Sequence, residues 1–103
     1  MNVLFVCARN RLRSPTAERI FADRAETDSA GLAPDADVRL SGDQIEWADL
    51  IVVMEKSQRA KLATKFGRQL SGRRVVCLDI PDRYEFMQPE LIDLLEKRMA
   101  RYF

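Results

Sequence analysis

Near its start the chain reads VLFVC (Val3–Cys7), then ARNRLR, then Ser14-Pro15. A short unbroken run of β-branched and aromatic residues predicts a strand that is buried on both faces. Serine followed by proline is typical of a helix start, with serine as the N-cap and proline as the first helical residue. The stretch therefore predicts a buried strand, an arginine-rich loop and a helix in immediate succession.

The rest of the chain continues this alternation of strands and helices. Further strands are predicted at Asp28–Gly31, Leu50–Met54 and Arg74–Leu78. The helices are expected to run from Ser14 to about Arg24, from a Ser41 capping box to Trp47, from a Ser57 cap to Phe66, and onwards from Pro89. Residues 32–40 contain Pro34 and alternating polar residues, which predict a loop.

Strand–helix alternation is typical of a parallel sheet with right-handed crossovers. We therefore expect one α/β domain over residues 1–103, built as three layers: a four-stranded parallel sheet with helices on both faces. In such sheets ligands bind beyond the carboxyl ends of the strands. Cys7, which ends the first strand, marks the first place to look for a site.

Composition excludes several classes of protein. Lys and Arg number 17 and Asp and Glu 16, so a net charge of +1 does not favour a polyanionic partner. Two cysteines and no histidine exclude a disulfide framework and a Cys/His metal site, and we expect no metal or cofactor. No apolar run is long enough to cross a membrane, and the start lacks the charged region of a signal peptide, so we expect a cytoplasmic protein without a membrane partner.

The loop between the first strand and the first helix concentrates positive charge. Arg9, Arg11 and Arg13 fall within five residues, and no acidic residue precedes Glu18. Backbone N–H groups beside a helix N-terminus can hold a phosphate, and an arginine fork can bind two of its oxygens. The phosphate-binding residues are thus predicted to be Ala8, Arg9, Asn10, Arg11, Leu12 and Arg13. The same field would favour a Cys7 thiolate, to which Ser14 can donate a hydrogen bond.

These residues resemble the signature of the low-molecular-weight protein tyrosine phosphatase family, Cys-x-x-Asn-x-Cys-Arg-Ser-Pro. Cys7, Asn10, Arg13, Ser14 and Pro15 match it in position and type. The resemblance implies the phosphatase I-like fold of that family, with Cys7 as nucleophile and Arg13 as phosphate clamp. It also implies Ser14 as the partner of the thiolate and Asn10 as the residue that braces the loop.

The resemblance extends along the chain to Ser29–Gly31, Asp49–Glu55 and Ile80–Tyr84. The last stretch is similar to the family's Asp-Pro-Tyr loop, which implies Asp82 as the general acid for the leaving group. Asp79 is the rival candidate, and either aspartate could instead be a turn former. Tyr84 is a candidate for the mouth of the substrate pocket, and Arg83 for a further contact to an anionic substrate.

Four departures from the family pattern affect the expected site, and one of them is Arg83 in place of the proline that follows the general acid. Leu12 replaces the second loop cysteine, and Arg9 replaces a glycine, which would strain the backbone if that position needed a positive φ. The stretch from Gly31 to Ser41 is too short for the segment that includes an aromatic wall of the family's cleft. We therefore expect a shallower and more open pocket.

The favoured function is a metal-independent, cysteine-dependent phosphomonoester hydrolase that acts through a phosphocysteine intermediate. Its expected substrate is a phosphotyrosine protein or a small aryl or alkyl phosphate. The alternative is a weak or inactive module that recognises a phosphoprotein or, less favoured, a nucleic-acid phosphate. A thiol-based arsenate reductase is disfavoured, because only Cys77 could resolve the nucleophile and it is predicted to lie in the core. The sequence leaves the oligomeric state open.

Overall fold

A four-stranded parallel sheet forms the centre of the molecule. The computed structural model describes all of residues 1–103. Its strands are β1 (Asn2–Cys7), β2 (Glu26–Gly31), β3 (Leu50–Val53) and β4 (Arg74–Cys77), in the order β2-β1-β3-β4. The first strand lies inside the sheet, paired with β2 through Phe5 and Ser29 and with β3 through Phe5 and Val52. The predicted four-stranded parallel sheet is confirmed.

Four α-helices cover the two faces of the sheet. They are α1 (Arg13–Ile20), α2 (Gly42–Trp47), α3 (Lys56–Phe66) and α4 (Pro89–Met99), followed by a 3-10 turn at Ala100–Tyr102. Helices α1 and α4 pack on one face, and α2 and α3 pack on the other. The predicted three-layer α/β architecture is confirmed. None of these helices has the length and apolar character needed to span a bilayer.

The alternation of side chains along β1 divides the core into two parts. Val3, Phe5 and Cys7 point to the face covered by α1 and α4, whereas Leu4 and Val6 point to the face covered by α2 and α3. All five are buried, as the unbroken apolar run predicted. Cys7 therefore ends the strand with its side chain on the same face as α1.

Two helix starts differ from the sequence expectation. Helix α1 begins at Arg13 with Leu12 as its N-cap, and it ends at Ile20 instead of about Arg24. Ser14 does not cap it because its hydroxyl oxygen contacts Cys7 and accepts from Asn10. Helix α3 begins at Lys56 after Glu55, not at a Ser57 cap, because Gln58 accepts the hydrogen bond of the Glu55 N–H.

Other expectations for the elements are confirmed. The Ser41–Gln44 capping box precedes α2, and Pro89 begins α4. Residues 32–40 form no regular element beyond one bridge between Gly31 and Arg39. The expectation that Cys77 is a core residue in mid-strand is wrong. Cys77 is the last residue of an edge strand and is only half-buried, since no further strand covers it.

Candidate active site

A cavity opens at the carboxyl end of β1, at the edge of the sheet where ligands bind in parallel α/β folds. Its volume is about 240 Å³. The residues that line it come from the end of β1, the loop before α1, the start of α1 and the segment after β4: Cys7, Arg9, Arg11, Leu12, Arg13 and Asp82. The fold thus brings together a buried thiol, three arginines and one carboxylate.

A chain of buried hydrogen bonds leads away from the cysteine. The Cys7 Sγ and Ser14 Oγ atoms lie 2.9 Å apart. The Asn10 side-chain amide donates to Ser14 Oγ over 3.0 Å and to Ser29 Oγ over 2.8 Å. Ser29 Oγ donates in turn to Glu18 Oε1 over 2.5 Å. Helix α1, the loop and the end of β2 are therefore linked through polar side chains.

The chemistry of these groups determines which group donates in each of these hydrogen bonds. An ionised Glu18 carboxylate only accepts hydrogen bonds, so the Ser29 hydroxyl donates to it. The Asn10 amide group then supplies one hydrogen to Ser29 and the other to Ser14. Since the Ser14 oxygen accepts from Asn10, its own hydrogen is free to donate to the Cys7 sulfur.

Asn10 holds this position by adopting a left-handed backbone conformation. Its φ is +57°, a value that asparagine tolerates better than most residues. Arg9 has no positive φ, so the expectation of strain at Arg9 is not met. The turn that the loop requires falls one residue later, where the side chain also braces Ser14 and Ser29.

The backbone of the loop is anchored through its carbonyl groups. The carbonyls of Cys7, Ala8 and Arg9 accept from the N–H groups of Leu32, Ala33 and Asp37 respectively. By contrast, the N–H groups of residues 8–12 donate to no acceptor in the protein. Five donors next to the N-terminus of α1 are thus free to bind an anion.

The Arg13 guanidinium donates hydrogen bonds within the protein through Nη1, and its Nε/Nη2 edge makes none. Its side chain is only 2% exposed. The Nη1 atom donates to Glu55 Oε1 over 2.5 Å and to the Ile80 carbonyl over 2.7 Å, and Nε lies 3.7 Å from Asp82 Oδ1. Neither Nε nor Nη2 makes a hydrogen bond within the protein. This edge can hold two oxygens of a phosphoryl group.

The two candidate aspartates lie in different surroundings. Asp82 lines the cavity with Cys7, and 58% of its side chain is exposed. Asp79 has a positive φ and accepts a weak hydrogen bond from the Cys77 thiol over 3.6 Å, outside the cavity. Only Asp82 is therefore close to both the thiol and Arg13.

Arg83 and Tyr84 do not line the cavity. The Arg83 guanidinium lies over the Tyr84 ring, 5.6 Å from its centroid. Tyr84 is half-buried against the core beneath α1 and α4. The cavity has no aromatic side chain in its lining.

The other two loop arginines pair with a short acidic segment. Arg11 Nε lies 3.1 Å from Asp37 Oδ1, and its Nη2 donates to the Asp35 carbonyl over 3.1 Å. Arg9 lies 3.7 Å from the Asp35 carboxylate. Both aspartates stand outside the cavity wall, so they steady the arginines from the solvent side.

The surroundings of Cys77 oppose ionisation of its thiol. Desolvation raises the pKa of its thiol, and the neighbouring Asp79 charge also opposes ionisation. Cys77 therefore stays protonated at neutral pH. No three Cys, Asp or Glu side chains come close enough together to ligate a metal ion.

Sequence reasoning did not assign three residues of this site: Glu18, Ser29 and Glu55. Glu55 follows a general signal, because it lies just after the carboxyl end of β3, which is next to β1. Ser29 lies within β2, two residues before its end. Glu18 carries no such signal. It reaches Ser29 only because α1 packs beside β2.

Comparison with known proteins supports the family resemblance that the loop residues predicted. Residues 2–40 match the family model described as low molecular weight phosphotyrosine protein phosphatase. The match covers β1, the loop, α1 and β2. A comparison with curated protein sequences finds no match.

Several solved structures share the fold. Wzb from Vibrio vulnificus, in complex with benzylphosphonate, has a TM-score of 0.79 and 21% identity, with 98% of this chain and 95% of that chain covered. The tyrosine phosphatase Wzb from Escherichia coli, in complex with phosphate, has a TM-score of 0.77 and 21% identity, with 98% and 94% covered. The YwlE arginine phosphatase from Geobacillus stearothermophilus has a TM-score of 0.72 and 20% identity, with 98% and 91% covered.

Likeness at these identities establishes the fold, and the family model adds the loop that carries the cysteine. The family model therefore confirms the resemblance to the low-molecular-weight phosphotyrosine protein phosphatases over residues 2–40, and the solved structures show that the fold is shared over nearly the whole chain.

Proposed function

We propose that this protein is a cysteine-dependent phosphomonoester hydrolase. The observation that carries the proposal is the cavity in which Cys7, Arg13 and Asp82 meet. The 2.9 Å contact between Cys7 Sγ and Ser14 Oγ adds a donor for the thiolate. A nucleophile, a phosphate clamp and a proton donor are the three parts that this chemistry requires.

The reaction has two displacement steps. The Cys7 thiolate attacks phosphorus, an S–P bond forms, and the ester P–O bond breaks as Asp82 gives its proton to the leaving oxygen. Asp82 then takes a proton from water, whose oxygen attacks phosphorus, and the S–P bond breaks to return the thiolate. Arg13 and the free N–H groups of the loop stabilise the charge on the phosphoryl oxygens in both steps.

Asp82 is proposed as the acid in preference to Asp79. Its support is its place in the cavity wall, 3.7 Å from Arg13 Nε. A phosphoryl group held by the free edge of Arg13 would thus lie next to the Asp82 carboxyl group. Asp79 contacts Cys77 instead.

The proposed substrate is a phosphorylated protein or a small phosphate monoester. The names of the structural relatives include both a tyrosine phosphatase and an arginine phosphatase. In this chain no aromatic side chain lines the cavity, so the deep slot that would select phosphotyrosine is not built here. The proposed location is the cytoplasm, where a reducing environment keeps the two free cysteines as thiols.

The test is hydrolysis of p-nitrophenyl phosphate without added metal. Wild type is compared with Cys7→Ser, Asp82→Asn and the matched control Asp79→Asn, which keeps a side chain suited to the positive φ at that position. We expect Cys7→Ser to abolish turnover. Asp82→Asn should lower kcat by about 10²- to 10⁴-fold, the usual contribution of general acid–base catalysis, and Asp79→Asn should lower it much less.

The assay also separates the two functions that the sequence left open. Loss of activity in Asp79→Asn, with Asp82→Asn unaffected, would overturn the assignment of the acid. No turnover of p-nitrophenyl phosphate, with vanadate still bound to wild type, would contradict the hydrolase. The remaining function would then be a phosphate-recognition module, which Arg9 and Arg11 in the cavity wall favour.

A further inference from the structure

The cavity wall is unusually cationic for its size. Three of its six lining residues are arginines, and the only carboxylate among the six is Asp82. A leaving group that enters this cavity therefore meets guanidinium groups instead of aromatic rings.

Two of the three arginines are not required to hold the phosphoryl group in the proposed reaction. Arg13 is buried at 2% exposure, whereas the side chains of Arg9 and Arg11 are 63% and 45% exposed at the cavity mouth. Their partners Asp35 and Asp37 lie outside the cavity wall. Such exposed ion pairs are weak, so an anion that enters the cavity can compete for these guanidinium groups.

A backbone contact keeps the Arg11 guanidinium near the cavity even when its ion pair opens, whereas Arg9 is anchored through its main chain alone. The Arg9 carbonyl accepts from the Asp37 N–H, and the Arg11 guanidinium donates to the Asp35 carbonyl as well as to a carboxylate. The segment 33–38 therefore holds the loop, and with it the mouth of the cavity, in position. A guanidinium that is already positioned loses less side-chain entropy when it binds an anion.

From this arrangement we infer that the substrate carries a second anionic group, a carboxylate or a phosphate, close to its phosphate monoester. Arg13 and the loop N–H groups hold the phosphoryl group, and Arg9 and Arg11 bind the second anion on the leaving group. The inference rests on the proposed function, because it assumes that the phosphoryl group occupies this cavity. It adds the chemical class of the leaving group.

The inference is tested by binding, which does not depend on turnover. The probes are 3- and 4-carboxybenzylphosphonate, and each is compared with its neutral carboxamide by calorimetry on wild-type protein. We expect at least one carboxylate to bind about tenfold more tightly than its amide, the effect of one charge-assisted contact. This ratio should fall with added salt and should approach one in Arg9→Gln/Arg11→Gln.

Lys97→Gln is the matched charge control, because Lys97 lies on α4, pairs only with Asp93 and is 70% exposed. It should keep the ratio of the wild-type protein. Equal affinity of acids and amides for wild type would overturn the inference and leave the phosphatase proposal intact. A preference that survives Arg9→Gln/Arg11→Gln would also overturn it. Failure of all four probes to bind would overturn the phosphatase proposal and the inference together.

Discussion

At the scale of single residues, the direction of the hydrogen bonds between Glu18 and Cys7 determines what each hydroxyl group can do. The two residues do not touch; Ser29, Asn10 and Ser14 connect them. A carboxylate at one end leaves each hydroxyl with a single direction in which to donate. A helix residue distant from the cavity is thereby connected to the Cys7 sulfur.

Glu18→Gln removes the charge that orients this chain of hydrogen bonds, because an amide can donate as well as accept. We expect kcat for p-nitrophenyl phosphate to fall about three- to tenfold, the effect of one weakened hydrogen bond. Alkylation of Cys7 by iodoacetamide at pH 7 should slow by a similar factor, since the hydrogen bond from Ser14 to the sulfur is weakened. Glu26→Gln, an exposed carboxylate at the start of β2, is the control and should change neither rate. Unchanged alkylation in Glu18→Gln would contradict this role.

The two cysteines should differ in reactivity. Burial raises the pKa of the Cys77 thiol, whereas Cys7 faces a serine donor and three arginines. A thiol with a raised pKa reacts as thiolate only at higher pH. Mass spectrometry after brief iodoacetamide treatment at pH 7 should therefore find the label on Cys7. Labelling of Cys77 should rise steeply only above pH 9. Preferential labelling of Cys77 at pH 7 would refute the prediction.

At the scale of elements, the start of α3 connects the sheet to the Arg13 side chain. Gln58 is buried, and its side-chain oxygen accepts from the N–H groups of both Met54 and Glu55. Glu55, the N-cap of α3, in turn holds Arg13. A single amide side chain thus shapes the turn that leads from β3 to the residue behind the guanidinium.

Gln58→Ala leaves two backbone donors without their partner at this turn. We expect the free energy of unfolding to decrease by about 1–3 kcal/mol, the cost of leaving buried polar groups unpaired. Urea unfolding followed by circular dichroism measures this change. Lys61→Ala, an exposed change on the same helix, should stay within about 0.5 kcal/mol of wild type. A loss no larger than that of Lys61→Ala would show that water replaces the amide at no cost.

At the scale of the whole molecule, the sheet separates two cores that share no side chains. Ile80 belongs to the core under α1 and α4, which also contains Cys7, and Ile45 belongs to the core under α2 and α3. Both residues are fully buried. Only the first core contains a residue that lines the cavity, namely Cys7.

Ile45→Val and Ile80→Val should each reduce the free energy of unfolding by about 0.5–1.5 kcal/mol. Because they lie in different cores, the double variant should lose the sum of the two values to within about 0.5 kcal/mol. Urea unfolding of wild type, the two single variants and the double variant measures the four free energies of unfolding that the comparison needs. A larger deviation from additivity would show that the two faces of the sheet are coupled.

Much of this architecture follows from patterns within short stretches of the sequence. Unbroken apolar runs marked β1, β3 and β4, and Pro89 marked the start of α4. The prediction placed the cap of α1 at Ser14, because a serine before a proline resembles an N-cap. It did not foresee that the hydroxyl group is used by Cys7 instead. Likewise, Cys77 was expected in the core because the order of the strands, which places β4 at an edge, is not visible in the strand itself.

By itself, the sequence determined the succession of strand, arginine-rich loop and helix, and with it the proximity of Cys7, Arg13 and Ser14. Only the tertiary structure decided which distant groups complete the site. Glu55 reaches Arg13 across 42 positions and Ser29 reaches Asn10 across 19. The physical reason is that periodicity and capping are local properties. Contacts between distant residues depend on the order and register of the strands, which the packing of the whole chain sets.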